Sequence, residues 1–189
     1  YAGPDFKTRH TFYEPVQQEL EKNPTNSMFT FIADFNGDGR PDILVLGRVL
    51  FHQAFWYENP GSATATKPDA RWKKHFVANR VFGESPLFAD IDGDGKPELL
   101  SLSGNTAADK IKQWGWYAPN WSAPDQPWKF VPITAPGDFN HYYHGEGIGD
   151  INGDGLTDLV TNEGWWEHPA KPPPPGPPRK KPPPTLRPH

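Results

Sequence analysis

Asp34-Phe35-Asn36-Gly37-Asp38-Gly39-Arg40-Pro41-Asp42 is followed 56 residues later by Asp90-Ile91-Asp92-Gly93-Asp94-Gly95-Lys96-Pro97-Glu98. After another 60 residues comes Asp150-Ile151-Asn152-Gly153-Asp154-Gly155-Leu156-Thr157-Asp158. Positions 1, 3, 5 and 9 of each stretch carry side-chain oxygens, and glycine at position 6 permits the sharp turn that folds them round one point. Position 7 adds its backbone carbonyl. An all-oxygen, carboxylate-rich cage with six to eight donors suits calcium, a hard cation that tolerates irregular geometry. Without a cation the clustered carboxylates repel one another. Nine-residue donor spacing repeated three times marks a repeat architecture rather than three solvated turns.

The EF-hand loop opens in the same way but requires a bidentate Glu at position 12 and flanking helices. Position 12 is Val45, Ser101 and Thr161 here. The loops run into Ile43–Leu46, Leu99–Leu102 and Leu159–Thr161, short apolar runs that read as buried strands. Strands also precede the loops, over Met28–Ala33, Pro86–Ala89 and Gly145–Gly149. Aromatic strands closed by proline follow: Phe55–Pro60, Trp116–Pro119 and Trp165–Pro169. Trp72–Val77 and Trp128–Val131 form a fourth strand in two units, and Phe6–Phe12 resembles another copy of it. The predicted order is one fourth strand, two complete units, and a last unit without its own. Val16–Lys22 predicts a turn or two of helix.

Four short strands per period of 55 to 60 residues is the pattern of propeller blades. The loops with their flanking strands resemble FG-GAP/VCBS repeats, the calcium-loop blades of integrin-like and bacterial secreted β-propellers. The resemblance covers about residues 6 to 169. It implies an all-β, propeller-like fold of three four-stranded blades within residues 1–170. It also implies three calcium sites: Asp34, Asn36, Asp38, the Arg40 carbonyl and Asp42; Asp90, Asp92, Asp94, Lys96 and Glu98; Asp150, Asn152, Asp154, Leu156 and Asp158. Propellers close with four to eight blades, so three read as a fragment, as part of a ring completed by neighbouring chains, or as an unusually tight closure; the unpaired edge of the last aromatic strand is open to another chain unless the N-terminal strand covers it.

Composition narrows the function further. Aromatic residues make up 14% of the 189 residues, with eight Trp, so large rings supply much of the burial. There is no Cys, and hence no disulfide or thiol nucleophile. No apolar run reaches the length of a membrane helix and no signal peptide is present; the chain starts at Tyr1, which suggests a processed or incomplete N-terminus. The net charge of −4 includes five basic residues and no acid in 171–189, leaving −9 on residues 1–170, where ten carboxylates sit in the loops. Three calcium ions would bring that body to −3. Nucleic acid is not an expected partner, because the basic tail lacks interleaved aromatics.

Residues 171–189 hold ten Pro, which selects polyproline II and a reach of roughly 60 Å. They read either as a linker or as a basic arm that docks on another protomer or carries sugars. Asn120-Trp121-Ser122 is the only N-glycosylation sequon, and weak calcium sites point to an extracellular or cell-surface setting. His141-Tyr142-Tyr143-His144-Gly145-Glu146 is the one cluster resembling a zinc or acid–base site, with His144 and Glu146 sharing a strand face; a hydrogen-bonded loop edge is its simpler reading. Trp114, Trp116, Trp121 and Trp128 offer sugar-stacking platforms, Trp114 and Trp121 above all, although repeated Trp more simply packs between blades. No nucleophile elbow or phosphate loop appears. The expected protein is a non-enzymatic extracellular calcium-binding adhesive module, a homo-oligomer or fibre protomer, with a carbohydrate-binding or carbohydrate-cleaving propeller as the alternative.

Overall fold

The structure, a computed structural model, describes residues 7, 9–13, 27–47, 53–65, 67, 70–104, 111–140, 142–168 and 180–181. Its elements are β1 (Phe29–Ala33), β2 (Asp42–Leu46), β3 (Ala54–Glu58), α1 (Ser62–Ala65), β4 (Lys73–Ala78), β5 (Phe82–Ala89), β6 (Glu98–Gly104), β7 (Lys112–Ala118), β8 (Lys129–Pro132), β9 (Gly147–Gly149), β10 (Asp158–Thr161), β11 (Gly164–Trp166) and β12 (Lys180–Lys181). They form three antiparallel four-stranded sheets, ordered β1-β2-β3-β4, β5-β6-β7-β8 and β9-β10-β11-β12.

The three sheets share one register. The residue before each acidic stretch pairs with its ninth position: Ala33 with Asp42, Ala89 with Glu98, and Gly149 with Asp158. The tenth position then meets an aromatic residue on the third strand, as Ile43 with Tyr57, Leu99 with Tyr117, and Leu159 with Trp166. Each loop is therefore the closed end of a hairpin, and hairpin register is fixed by its turn. β5 departs from regularity: Phe82 pairs with Leu102 but the next pair is Leu87 with Leu100, so Gly83–Pro86 bulge out of the ladder. Gly83 takes φ 103° there, a conformation open to glycine and resisted by other residues.

The last unit corrects the expected source of its fourth strand. The N-terminal segment, described at residues 7 and 9–13, forms no strand; its Phe12 carbonyl accepts from Trp72 N–H (2.9 Å) and its ring lies 5.3 Å from Tyr57. The fourth strand of the third sheet is β12, with Lys181 opposite Trp165 and Lys180 opposite Trp166. The sequence reading failed because a two-residue strand among prolines carries no periodicity. Val16–Lys22 and the rest of the tail lie outside the described residues.

Contacts divide the chain into two compact units, Tyr1–Arg80 with Pro119–Trp128, and Val81–Ala118 with Lys129–His189. In the first, Trp56 is fully buried and lies 5.6 Å from Phe35, the residue at the second loop position. The segment 119–128 packs on this sheet: Trp128 donates to Val77 O (3.0 Å), Trp56 Nε1 to Pro124 O (3.3 Å), and Trp121 stacks on Phe35 at 6.1 Å. Asp125 contacts Nδ1 of buried His75 (2.6 Å), whose Nε2 meets Glu58 (2.9 Å). In the second unit the core gathers Ile91, Leu100, Leu102, Trp114, Trp116 and Trp166. Gly115 is fixed there by crowding, since a Cβ would stand 2.3 Å from the Val131 carbonyl and 2.6 Å from the Phe130 ring.

Candidate metal centre

Each loop is organised from its first aspartate. Asp34 Oδ1 accepts Gly37 N–H (2.8 Å) and Asp38 N–H (3.1 Å), and its Oδ2 accepts Gly39 N–H (2.8 Å). Asp150 repeats this with Gly153, Asp154 and Gly155 at 2.7, 3.1 and 2.9 Å, and Asp90 with Gly93 (2.8 Å) and Gly95 (3.0 Å). Winding a chain so tightly round one carboxylate requires left-handed backbone at positions 4 and 6. Gly37 and Gly39 have φ 74° and 81°, and the other two pairs lie between 78° and 85°. No atom lies within 4 Å of a Cβ built on any of the six, so conformation and not space demands glycine. The glycine at position 4 was not singled out from the sequence.

The third- and fifth-position oxygens cap the same turn. Asn36, Asp92 and Asn152 accept the N–H of residue 5 at 3.1, 3.2 and 3.0 Å. Asp38, Asp94 and Asp154 accept the N–H of residue 7, from Arg40, Lys96 and Leu156, at 2.9, 2.8 and 2.9 Å. Phe35 and Ile91 are buried beneath their loops at position 2, while the glycines and most of the carboxylates face solvent.

The ninth residue is buried in all three loops and does two jobs. Asp42 Oδ2 accepts Phe35 N–H (2.9 Å) and its Oδ1 accepts Asn59 N–H (2.8 Å) from the end of the third strand. Asp158 does the same with Ile151 (3.0 Å) and His168 (2.8 Å). Glu98 accepts Ile91 N–H (2.8 Å), but the residue matching Asn59 and His168 is Pro119, which has no N–H. Burial pushes the Glu98 carboxyl up to about 7, helped by the charges of Asp92 and Asp94. Burial also raises Asp42, with Asp38 and Asp34 adding to the effect and its two N–H donors opposing it.

These donors fit a hard divalent cation. Asp90, Asp92 and Glu98 each place a carboxylate oxygen within 4.8 Å of the other two, the one such convergence of His and acid groups among the described residues. In the outer loops asparagine replaces the second carboxylate, and its amide bonds the fifth position instead: Asn36 Nδ2 to Asp38 Oδ2 at 3.0 Å, Asn152 Nδ2 to Asp154 Oδ2 at 2.9 Å. Loop 3 adds Glu167, whose Oε1 accepts from Asn152 Nδ2 (2.9 Å). Loop 1 adds the Arg40 guanidinium, which pairs with Asp38 and donates from Nε to Asn59 O (2.9 Å). Glu167 was not foreseen, because it lies on the far side of a strand from the motif.

The other candidate residues resolve differently. Trp114 is fully buried opposite Leu102 on β7, and Trp116 and Trp128 are buried too, so three of the four expected sugar platforms face the interior. Trp121 is half-buried against Phe35. The pattern misplaced Trp114 because β7 starts four residues earlier than its aromatic run suggests. His141 lies outside the described residues. His144 is exposed and pairs with Glu84 (2.6 Å), whereas Glu146 is buried with no hydrogen-bond partner on either oxygen. The expected shared strand face is not formed, since β9 begins only at Gly147.

Comparison with known proteins agrees with the repeat. Residues 34–101 match the family model of the FG-GAP-like repeat, from the first loop through the second and into β6. Over those residues the chain is similar to an FG-GAP-like repeat, and the fold around them is all-β. No curated protein and no solved structure matches it.

Proposed function

We propose that this chain is a calcium-binding, non-enzymatic repeat module of an extracellular structural or adhesive protein. The observation that carries the reading is the threefold recurrence of one acidic hairpin in one register, with donors that suit calcium. Loop 1 would hold its ion through Asp34, Asn36, Asp38, the Arg40 carbonyl and Asp42. Loop 2 would use Asp90, Asp92, Asp94, the Lys96 carbonyl and Glu98, and loop 3 Asp150, Asn152, Asp154, the Leu156 carbonyl and Asp158. Calcium would supply charge neutralisation where the loop holds mutually repelling carboxylates together. Sites of this exposed, non-sensor kind fill at the calcium levels found outside cells. Among the described residues no helix is long and apolar enough to cross a membrane.

Propeller closure, alone or with other chains, belongs to the same proposal. Support for association comes from β1, a sheet edge flanked by exposed Met28 and carrying exposed Ile32. Burial of three Trp platforms argues against the carbohydrate alternative. Calorimetric titration of chelator-treated chain with calcium tests the reading. It predicts three sites, with loop 2 tightest because its four carboxylates exceed the three of loops 1 and 3. Absence of calcium binding at millimolar concentration would refute it. Light scattering with and without residues 171–189 tests association; monomers in both cases remove that part.

A further inference from the structure

Asn36-Gly37 and Asn152-Gly153 are the two Asn-Gly steps of the chain, and both fall at positions 3 and 4 of an acidic loop. Loop 2 has Asp92-Gly93 there and no amide to lose. Asparagine is among the thermolabile residues, and a glycine after it leaves the following nitrogen unshielded by a Cβ. That nitrogen attacks the side-chain carbonyl carbon and closes a five-membered imide. Its proton and the departing NH2 group leave together as ammonia. Water then opens the ring at one of its two carbonyls, giving aspartate or its β-linked isomer. The net exchange is water in and ammonia out, with no oxidant or enzyme required.

The folded loops hold both reacting groups elsewhere. Gly37 N–H donates to Asp34 Oδ1 at 2.8 Å, and Gly153 N–H to Asp150 Oδ1 at 2.7 Å. Each asparagine amide is fixed at both of its polar atoms on residue 5. Asn36 Oδ1 accepts Asp38 N–H (3.1 Å), and its Nδ2 donates to Asp38 Oδ2 (3.0 Å). Asn152 does the same with Asp154 at 3.0 and 2.9 Å, and its Nδ2 also reaches Glu167 (2.9 Å). Turning the side-chain carbon onto the glycine nitrogen breaks these contacts, so attack waits for the loop to open. Gly37, Asn152 and Gly153 are exposed and Asn36 is half-buried, so water is not kept out. Opening is the barrier that folding adds.

Building on the calcium reading above, we propose that Asn36 and Asn152 are spontaneous deamidation sites gated by the state of their loops. Closed, calcium-loaded loops keep the amides, and open loops lose them. An ion held by the closed loop alone lowers the open population by one plus the ratio of calcium concentration to Kd, about a hundredfold at a hundredfold excess. Ring opening to aspartate gives loops 1 and 3 the position-3 carboxylate of loop 2. The β-linked product instead adds a main-chain atom between the third and fifth donors, and the N–H pattern wound round the first aspartate is lost. Calcium depletion thus leaves a permanent chemical record, a lost amide, at two of the three loops.

The test incubates the full chain at mildly alkaline pH with calcium, with chelator, and in urea. Peptides carrying Asn36 and Asn152 are then quantified by the mass change of amide-to-acid exchange. Chelator should speed the loss at both sites by about a hundredfold over calcium held at a hundredfold excess, and urea should speed it at least as much. N36Q should remove the change from the loop 1 peptide and leave the loop 3 rate unmoved. Equal rates in calcium and chelator, in a chain whose calorimetry shows calcium bound, overturn the inference while leaving the calcium reading intact. Calorimetry that shows no calcium bound overturns that reading and the gating with it. Both amides intact after incubation in urea overturn the inference outright.

Discussion

Replacing Asp42 with asparagine separates a structural role from a metal-binding one. Asp42 is fully buried, and its two oxygens take two different backbone N–H groups, Phe35 at 2.9 Å and Asn59 at 2.8 Å. Asparagine keeps one acceptor oxygen and turns an NH2 group toward the other N–H. One stranded buried donor costs about 1–3 kcal/mol. The same substitution removes a negative charge beside Asp34 and Asp38, a gain of at most ~1 kcal/mol at this edge of the molecule. In chelator, where no ion contributes, D42N should therefore destabilise by roughly 2 kcal/mol, a fall of about 4–8 °C in Tm. D158N should behave alike, having the same pair of N–H contacts. Glu98 is different: Pro119 offers it no N–H, and its carboxyl is pushed up to about 7, so glutamine resembles a form already well populated near neutral pH. E98Q should stay within about 1 kcal/mol of wild type in chelator. Thermal unfolding followed by tryptophan fluorescence, with EDTA throughout, reads all three. Should D42N match or exceed wild-type stability, the ninth residue is a ligand only and its role as the latch between loop and third strand is wrong.

Gly115→Ala should destabilise by about 1–3 kcal/mol, since its Cβ meets the Val131 carbonyl at 2.3 Å and backbone cannot swing aside; unchanged urea unfolding would contradict the crowding. Glu146 titrates in the direction set by burial, above its ordinary range, with the nearby His144 charge opposing. A carboxyl raised in the folded state favours folding most at pH below its unfolded value of about 4.5, and that contribution is lost as pH rises through the folded value. Glu146→Gln should therefore raise Tm at neutral pH and flatten the slope of Tm against pH above 4.5. A variant with the wild-type slope would assign that pH dependence elsewhere.

The hairpins were legible because donor spacing and strand register are the same code: a turn that wraps one aspartate fixes which residues face each other across it. Eleven of the twelve strands follow from the apolar and aromatic runs beside those turns, to within a few residues. β12 was not legible, because Lys180 and Lys181 pair through backbone with Trp165 and Trp166 and no side-chain pattern announces it. Trp114 was misread for a related reason. Its burial depends on β7 reaching back to Lys112, opposite Gly104, and the sequence before the aromatic run gives no sign of a strand. Within the site the carboxylates were plain, but their neighbours were not. Asn59, Pro119 and His168 act or fail to act through a backbone N–H, and Glu167 and Arg40 reach the loops across space.

On the proposed reading, the three loops are calcium sites that hold this fold together. The most direct measurement is the melting temperature of the whole chain in chelator, then with calcium restored, then with magnesium in its place. An ion bound only to the folded state stabilises by about 2.7 kcal/mol per site at a hundredfold excess over its dissociation constant. Even one well-filled loop should raise Tm by about 5 °C or more in a chain of this size. Magnesium, which demands octahedral geometry and sheds water reluctantly, should recover little of it. A melting curve that ignores chelator, in protein whose metal analysis finds no calcium, would mean that the loops are not calcium sites.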